Sequence, residues 1–180
     1  MRPVIIGIGG GHSGAGKTVV ACKILERLKG WGAIKYTNTP LYSSITDDIK
    51  VLSEKGKDTK RFLDSGAEKV LWVQATFSES EETLQMAADM LSHLQGVVVE
   101  GNSAIEVLKP DIVIFVSGDT AKFKKNADRI LQMADILLFD NKLPASVPEQ
   151  TVEFSKNDID LCANYVLGII KKQRNQRNLI

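Results

Sequence analysis

Near the start of the chain an apolar run, Val4-Ile5-Ile6-Gly7-Ile8, passes directly into Gly9-Gly10-Gly11-His12-Ser13-Gly14-Ala15-Gly16-Lys17-Thr18. Residues Gly11 to Thr18 fit G-x-x-x-x-G-K-[ST], the phosphate-binding P-loop. The spelling has a chemical reason. Wrapping a triphosphate needs successive backbone N–H groups, and glycine permits this by adopting positive φ and by carrying no Cβ. In such a loop Gly11, His12, Ser13, Gly14, Ala15 and Gly16 offer backbone, and Lys17 places an ammonium on the β- and γ-phosphates. The Thr18 hydroxyl takes a coordination place on Mg²⁺. The context agrees: a β-branched strand precedes the loop, and an apolar-periodic helix follows from Lys17 to about Lys29. The positive end of that helix dipole lies beneath the anion. A glycine-rich turn with no ligand is the plainer alternative, but it needs neither so many glycines nor the Lys-Thr pair.

Strand and helix patterns alternate along the rest of the chain. Strands are expected over Ala33–Thr37, Lys69–Ala75, Val97–Gly101, Asp111–Val116 and Asp135–Phe139, with Thr151–Phe154 as a short edge strand. Helices are expected over Asp47–Glu54, Thr59–Asp64, a segment from Ser80 to Leu94, Ala121–Met133 and Asn157–Lys171. This order implies a doubly wound α/β chain, a three-layer P-loop NTPase fold with a mostly parallel sheet and helices on both faces. The length of 180 residues favours one P-loop nucleotide-binding domain over 1–180, ending in a basic tail from about Lys171 that reads as a frayed helix end.

A formal net charge of +1 gives no global case for nucleic acid or an anionic membrane surface. No segment reaches the apolar length that spans a bilayer, and the N-terminus is a strand, not a signal peptide. Cys22 and Cys162 fall on apolar helix faces without metal-ligand spacing, which reads as buried thiols in a reducing compartment. The expected location is cytoplasmic.

In such a sheet, ligands bind beyond the carboxyl ends of the strands, so polar residues there come first: Lys35, Glu100, Asn102, Ser117, Asp119, Asn141 and Lys142, joined by Asp58. Glu100 ends a Val-Val-Val strand and needs a partner, either Mg²⁺ with its water or a salt bridge. Asp58 either supplies a second carboxylate for Mg²⁺ or water, or caps the helix from Thr59. Lys35 either touches a phosphoryl group or anionic substrate, or is solvated. Asn141 and Lys142 can read a base at a strand mouth, or form an ordinary polar turn. At His12 only the backbone is expected to matter.

Four stretches then align in order: Gly11 to Thr18, Gly32-Ala33-Ile34-Lys35, Lys57-Asp58-Thr59-Lys60-Arg61 before Gly66-Ala67, and Val98-Val99-Glu100-Gly101. Together they resemble the molybdopterin-guanine dinucleotide biosynthesis protein B (MobB) family of P-loop GTP-binding proteins. Tyr36 stands where that family has histidine. Dethiobiotin synthetase is similar in its lysine at the end of the second strand and its E-G strand end. Many GTPases of the larger class carry N-K-x-D where this chain has Asn141-Lys142-Leu143-Pro144. The carboxylate that would accept from guanine is absent at Pro144, so GTP and ATP both stay open. The resemblance implies slow NTP hydrolysis with Mg²⁺, a partner protein in molybdopterin or metal-cofactor maturation, and a homodimer of the kind relatives often form. In that reading Lys17, Asp58 and Glu100 carry the chemistry, Thr18, Asp58 and Glu100 hold the metal, and Arg61 could act as an arginine finger. The rival expectations are an ATP-dependent small-molecule kinase or ligase, with Lys35 and Lys57 on an anionic substrate, and a nucleotide-switched adaptor without productive hydrolysis.

Overall fold

The computed structural model describes residues 2–124 and 126–177. The first strand, β1 (Val4–Gly10), is buried along its whole length, as a run with no polar face requires. The others are β2 (Trp31–Asn38), β3 (Ser44–Thr46), β4 (Lys69–Ala75), β5 (Gly96–Glu100), β6 (Ile112–Val116), β7 (Ile136–Phe139) and β8 (Val152–Ser155). Among the described residues they form one eight-stranded sheet in the order β3-β4-β2-β5-β1-β6-β7-β8. Every neighbouring pair is parallel except β3 with β4. Parallel neighbours cannot be joined by a tight turn, and the crossovers carry the helices: α1 (Lys17–Leu25), α2 (Ile49–Leu52), α3 (Asp58–Asp64), α4 (Ser80–Met90), α5 (Asn102–Leu108) and α6 (Ala127–Gln132). Helix α7 (Ile159–Arg177) closes the chain.

Alternation along the strands sorts side chains into two cores. Ile6 and Ile8 of β1, Ala33 of β2 and Val98 of β5 pack with Val20, Ala21 and Ile24 of α1 and with Cys162 and Val166 of α7. Their sequence neighbours Ile34, Val97 and Val99 face the other way, against Leu84 and Ala87 of α4. Val113 and Phe115 pack there on Ile130 of α6. Helices on both faces give the three-layer architecture expected from the alternating pattern.

Four local differences have physical causes. Helix α1 ends at Leu25, because the Arg27 and Leu28 N–H groups turn back to the carbonyls of Ile24 and Leu25, tightening the last turn. The helix expected over Ala121–Met133 is split. The Asp119 carboxylate caps a single 3₁₀ turn at Thr120–Lys122, after which Phe123 adopts an extended conformation. Its ring meets Phe115 edge-on at 5.7 Å; Lys125, also within that expected helix, lies outside the described residues. Helix α5 has only Ala104 and Ile105 buried, too few positions to register as a period. Finally, Lys171 to Arg177 continue α7 as helix instead of fraying at Lys171, while residues 178–180 of the basic tail lie outside the described residues.

Among the described residues no helix is long and apolar enough to cross a membrane. Cys22 and Cys162 are free and buried, and burial raises both thiols, that of Cys162 to about 12. Thiolate is the reactive form, so at about pH 8 the folded protein is expected to resist iodoacetamide at both positions and to alkylate only when denatured. Rapid alkylation of the native protein, read by mass spectrometry, would contradict this packing.

Candidate functional site

The carboxyl ends of β1, β2 and β5, together with the N-termini of α1 and α3, enclose a cleft of about 770 Å³. The glycine-rich loop forms one wall. Gly14 and Gly16 have φ of 80° and 104°, left-handed values that would strain a residue with a Cβ. Gly11 is required for a different reason: a Cβ there would lie 2.4 Å from the Ser117 carbonyl oxygen and 2.4 Å from the Phe123 ring. Its N–H donates to the Val116 carbonyl at 3.0 Å, and its carbonyl accepts from Lys124 N–H at 2.7 Å. Gly11→Ala is therefore expected to cost about 1–3 kcal/mol by overpacking. Thermal unfolding should fall by roughly 2–10 °C; an unchanged melting curve would contradict the contact.

Two side chains fix the loop from outside its own backbone. Asn102, at the start of α5, clamps Gly10: its Oδ1 accepts from Gly10 N–H at 2.9 Å and its Nδ2 donates to Gly10 O at 3.0 Å. His12 contributes more than backbone. Its Nε2 accepts from Asp119 N–H at 3.0 Å and its Nδ1 lies 2.6 Å from Ser13 O, so these partners select the Nδ1–H tautomer. The imidazole thus ties the loop to the chain beyond β6, a role that the loop motif alone does not announce.

The Lys17 ammonium curls over the loop and donates to His12 O at 2.8 Å. Burial lowers its pKa from the ordinary value, against the opposing pull of Glu100. At the next residue, Thr18 Oγ1 donates to Glu100 Oε2 at 2.8 Å, and both residues are buried. Glu100 is placed by register: it pairs with Ile8 of β1 and with Lys35 of β2. Lys35 and Glu100 lie on the α1 side of the sheet, following Ala33 and Val98 by two residues. Lys35 Nζ donates to Glu100 Oε1 and to Asp58 Oδ2, each at 2.6 Å. Lys35 is therefore an ion-paired lysine and not a solvated one. Asp58 is the first residue of α3 with Lys57 at the N-cap position, so its carboxylate serves Lys35 instead of capping Thr59.

Burial alone would lower the Lys35 pKa, but Glu100 and Asp58 outweigh it and leave the value above the ordinary one. Burial alone would raise Asp58, and Lys35 outweighs it in the opposite sense, leaving Asp58 low. The stability that Asp58 gives is thus present above its unfolded pKa of about 4 and lost as pH falls through its lower folded value. That of Lys35 is present below about 10.4 and lost as pH rises through its higher folded value. Asp160 is also held low, by Arg27, so urea midpoints of nucleotide-free protein should show a smaller acid-side loss in Asp58→Asn than in the wild type, not its disappearance.

These donors fit Mg²⁺. The set is all oxygen, as a hard cation requires, and neighbouring ligands on an octahedral ion with bonds of about 2.1 Å stand about 3 Å apart. Thr18 Oγ1 and Glu100 Oε2 are separated by 2.8 Å, and Asp58 reaches the same cluster through Lys35.

The remaining expected residues disperse. Asn141 and Lys142, just beyond β7, line a second hollow of about 420 Å³ with Asp119, Asp140 and Lys156. Lys156 Nζ bonds Asp140 at 2.7 Å, and its Cε comes within 4.0 Å of where a Gly16 Cβ would stand, so this hollow borders the loop. Ser117 is fully buried and donates to Gly118 O. Lys57 is engaged by Glu54 at 2.8 Å and by the Trp72 ring at 4.7 Å. Arg61 lines the main cleft, 3.9 Å from Asp58. Lys124 and Asn126 also line it; the sequence hid them inside the helix expected over Ala121–Met133. Lys156 was hidden just past the edge strand, where the rule about carboxyl ends could have found it.

No family model matches the chain, and no curated protein matches it. Among solved structures, HypB from Helicobacter pylori, in complex with nickel, is similar with a TM-score of 0.56 at 12% identity, over 96% of this chain and 89% of that one. The signal recognition particle receptor FtsY from Elizabethkingia anophelis aligns with a TM-score of 0.37 at 13% identity, over 78% of this chain and 51% of that one. The likeness to HypB is one of fold. With the glycine-rich loop between β1 and α1, this is a P-loop NTPase fold.

Proposed function

We propose that this chain is a cytoplasmic, Mg²⁺-dependent P-loop protein that binds GTP or ATP and hydrolyses it slowly as a single nucleotide-binding domain. The observation that carries this reading is the convergence of Lys17, Thr18, Glu100, Asp58 and Lys35 in one cleft beside the loop. The loop amides and Lys17 bind and orient the phosphates, in a wall that Asn102 and His12 hold in shape. Thr18, Glu100 and Asp58 would hold Mg²⁺, which supplies charge neutralisation at the β- and γ-phosphates when bound. Asp58, at the mouth of the cleft, positions water, and Arg61 is near enough to reach developing negative charge. The hollow beside the loop, with Asn141 and Lys142, takes the base.

The ordered resemblance to the molybdopterin-guanine dinucleotide biosynthesis protein B family supports a role in molybdopterin or metal-cofactor maturation through a partner protein, with a homodimer as the assembly. The breadth of the cleft supports a second reading. Beyond the loop it continues along Thr37, Asn38 and Ser103, which leaves room for an anionic second substrate of a kinase or ligase. Phosphate release from GTP and from ATP, with Mg²⁺ and with chelator, tests the first reading. Slow Mg²⁺-dependent release by protein alone supports it. Turnover that appears only when a small carboxylate or phosphate acceptor is added would move the assignment to the second.

A further inference from the structure

Glu100 has both oxygens engaged by strong donors, Thr18 Oγ1 on one and Lys35 Nζ on the other, and Asp58 shares the same ammonium. We infer that Lys35 is a resident counter-cation, holding the place of a divalent metal between Asp58 and Glu100 so that metal enters only together with nucleotide. The inference rests on the reading of the cleft as a Mg²⁺-nucleotide site.

Three features make Lys35 fit for this. Parallel register sets it directly beside Glu100 on the neighbouring strand, so its reach is fixed by the sheet and not by a loop. Its side chain is 19% exposed and that of Glu100 only 3%, which makes each charge costly to leave unpaired. The other cations of the cleft do not substitute for it. Lys17 donates to His12 O at 2.8 Å and to neither carboxylate, and Arg61 stands 3.9 Å from Asp58 with a half-exposed side chain. To admit a bare metal ion, Lys35 must give up both carboxylates and remain in a partly dry cleft with no anion to take their place. With a triphosphate on the loop, Lys35 exchanges carboxylate for phosphate oxygen, and the exchange costs little. Lys35 is thus a positioning residue that couples metal entry to nucleotide, and it keeps two acids from repelling each other beforehand.

The test uses Mn²⁺ as a paramagnetic stand-in for Mg²⁺ and the full-length, nucleotide-free protein, reading free Mn²⁺ by electron paramagnetic resonance. Wild type should bind Mn²⁺ weakly, and Lys35→Gln should bind it at least about 10-fold more tightly, because Glu100 then loses its ion-pair partner and Asp58 keeps only Arg61 at 3.9 Å. Lys35→Arg, which keeps the charge, should restore weak binding. Lys35→Gln combined with Glu100→Gln should lose the gain. An affinity for Mn²⁺ in Lys35→Gln within about twofold of wild type overturns the inference, and so does a gain that survives the loss of Glu100. If Lys35→Gln is unfolded alone, Mn²⁺ at millimolar concentration should refold it, and failure to do so also counts against the inference. Because nucleotide is absent throughout, these outcomes judge Lys35 separately from the nucleotide reading, which binding of GTP or ATP decides.

Discussion

Lys17→Ala is expected to lower affinity for a non-hydrolysable nucleoside triphosphate by at least about 100-fold, the loss of two charge-assisted hydrogen bonds of about 1.5–3 kcal/mol each. The side chain already lies along the loop, with its ammonium on the His12 carbonyl at 2.8 Å, so little reorganisation stands between this conformation and contact with phosphate. Its pKa is lowered by burial, which describes an ammonium short of solvent and in need of an anion. Alanine leaves the helix intact, since it is the best helix former. The mutant should therefore melt close to wild type without ligand and lose the thermal shift that nucleotide gives. A variant that binds as tightly as wild type would show that the loop amides alone make the site.

Glu100→Gln is expected to reduce phosphate release by about 100-fold or more, while nucleotide binding falls by less than about 10-fold. Glutamine has nearly the same volume and keeps an oxygen for the Thr18 hydroxyl, so the packing at the end of β5 survives. What disappears is the charge that faces Thr18 and Lys35 at 2.8 Å and 2.6 Å. Lys35 retains Asp58, so the lysine is not orphaned, and the stability cost should stay near 1–3 kcal/mol, about that of one charge-assisted bond. Single-turnover measurements separate this outcome from a binding defect. Release within a few-fold of wild type would remove Glu100 from the chemistry.

The fold was legible because its signals are long or chemically unambiguous. The β-branched runs of β1, β5 and β6 are buried on both faces, and such strands demand helices above and below. Glu100 was legible for a related reason, since an acid at the end of Val-Val-Val has to find a partner. The identity of that partner was not legible. Lys35 and Glu100 lie 65 residues apart, and only the β2–β5 register makes them neighbours. His12 and Asn102 were obscured in the same way, because their partners are backbone atoms of the segment after β6 and of β1. The split of the helix expected over Ala121–Met133 was invisible because apolar spacing continues through Phe123, whose ring instead covers Gly11. Tertiary packing overrode a local pattern there, as it does wherever a side chain has a better partner off the helix.

The most direct measurement is isothermal titration of the purified protein with non-hydrolysable GTP and ATP analogues in the presence of Mg²⁺. One-to-one binding of at least one of them, weakened by chelator, is the expected result. Heat from neither analogue, in protein whose melting curve shows it folded, would contradict the nucleotide-binding claim at its root.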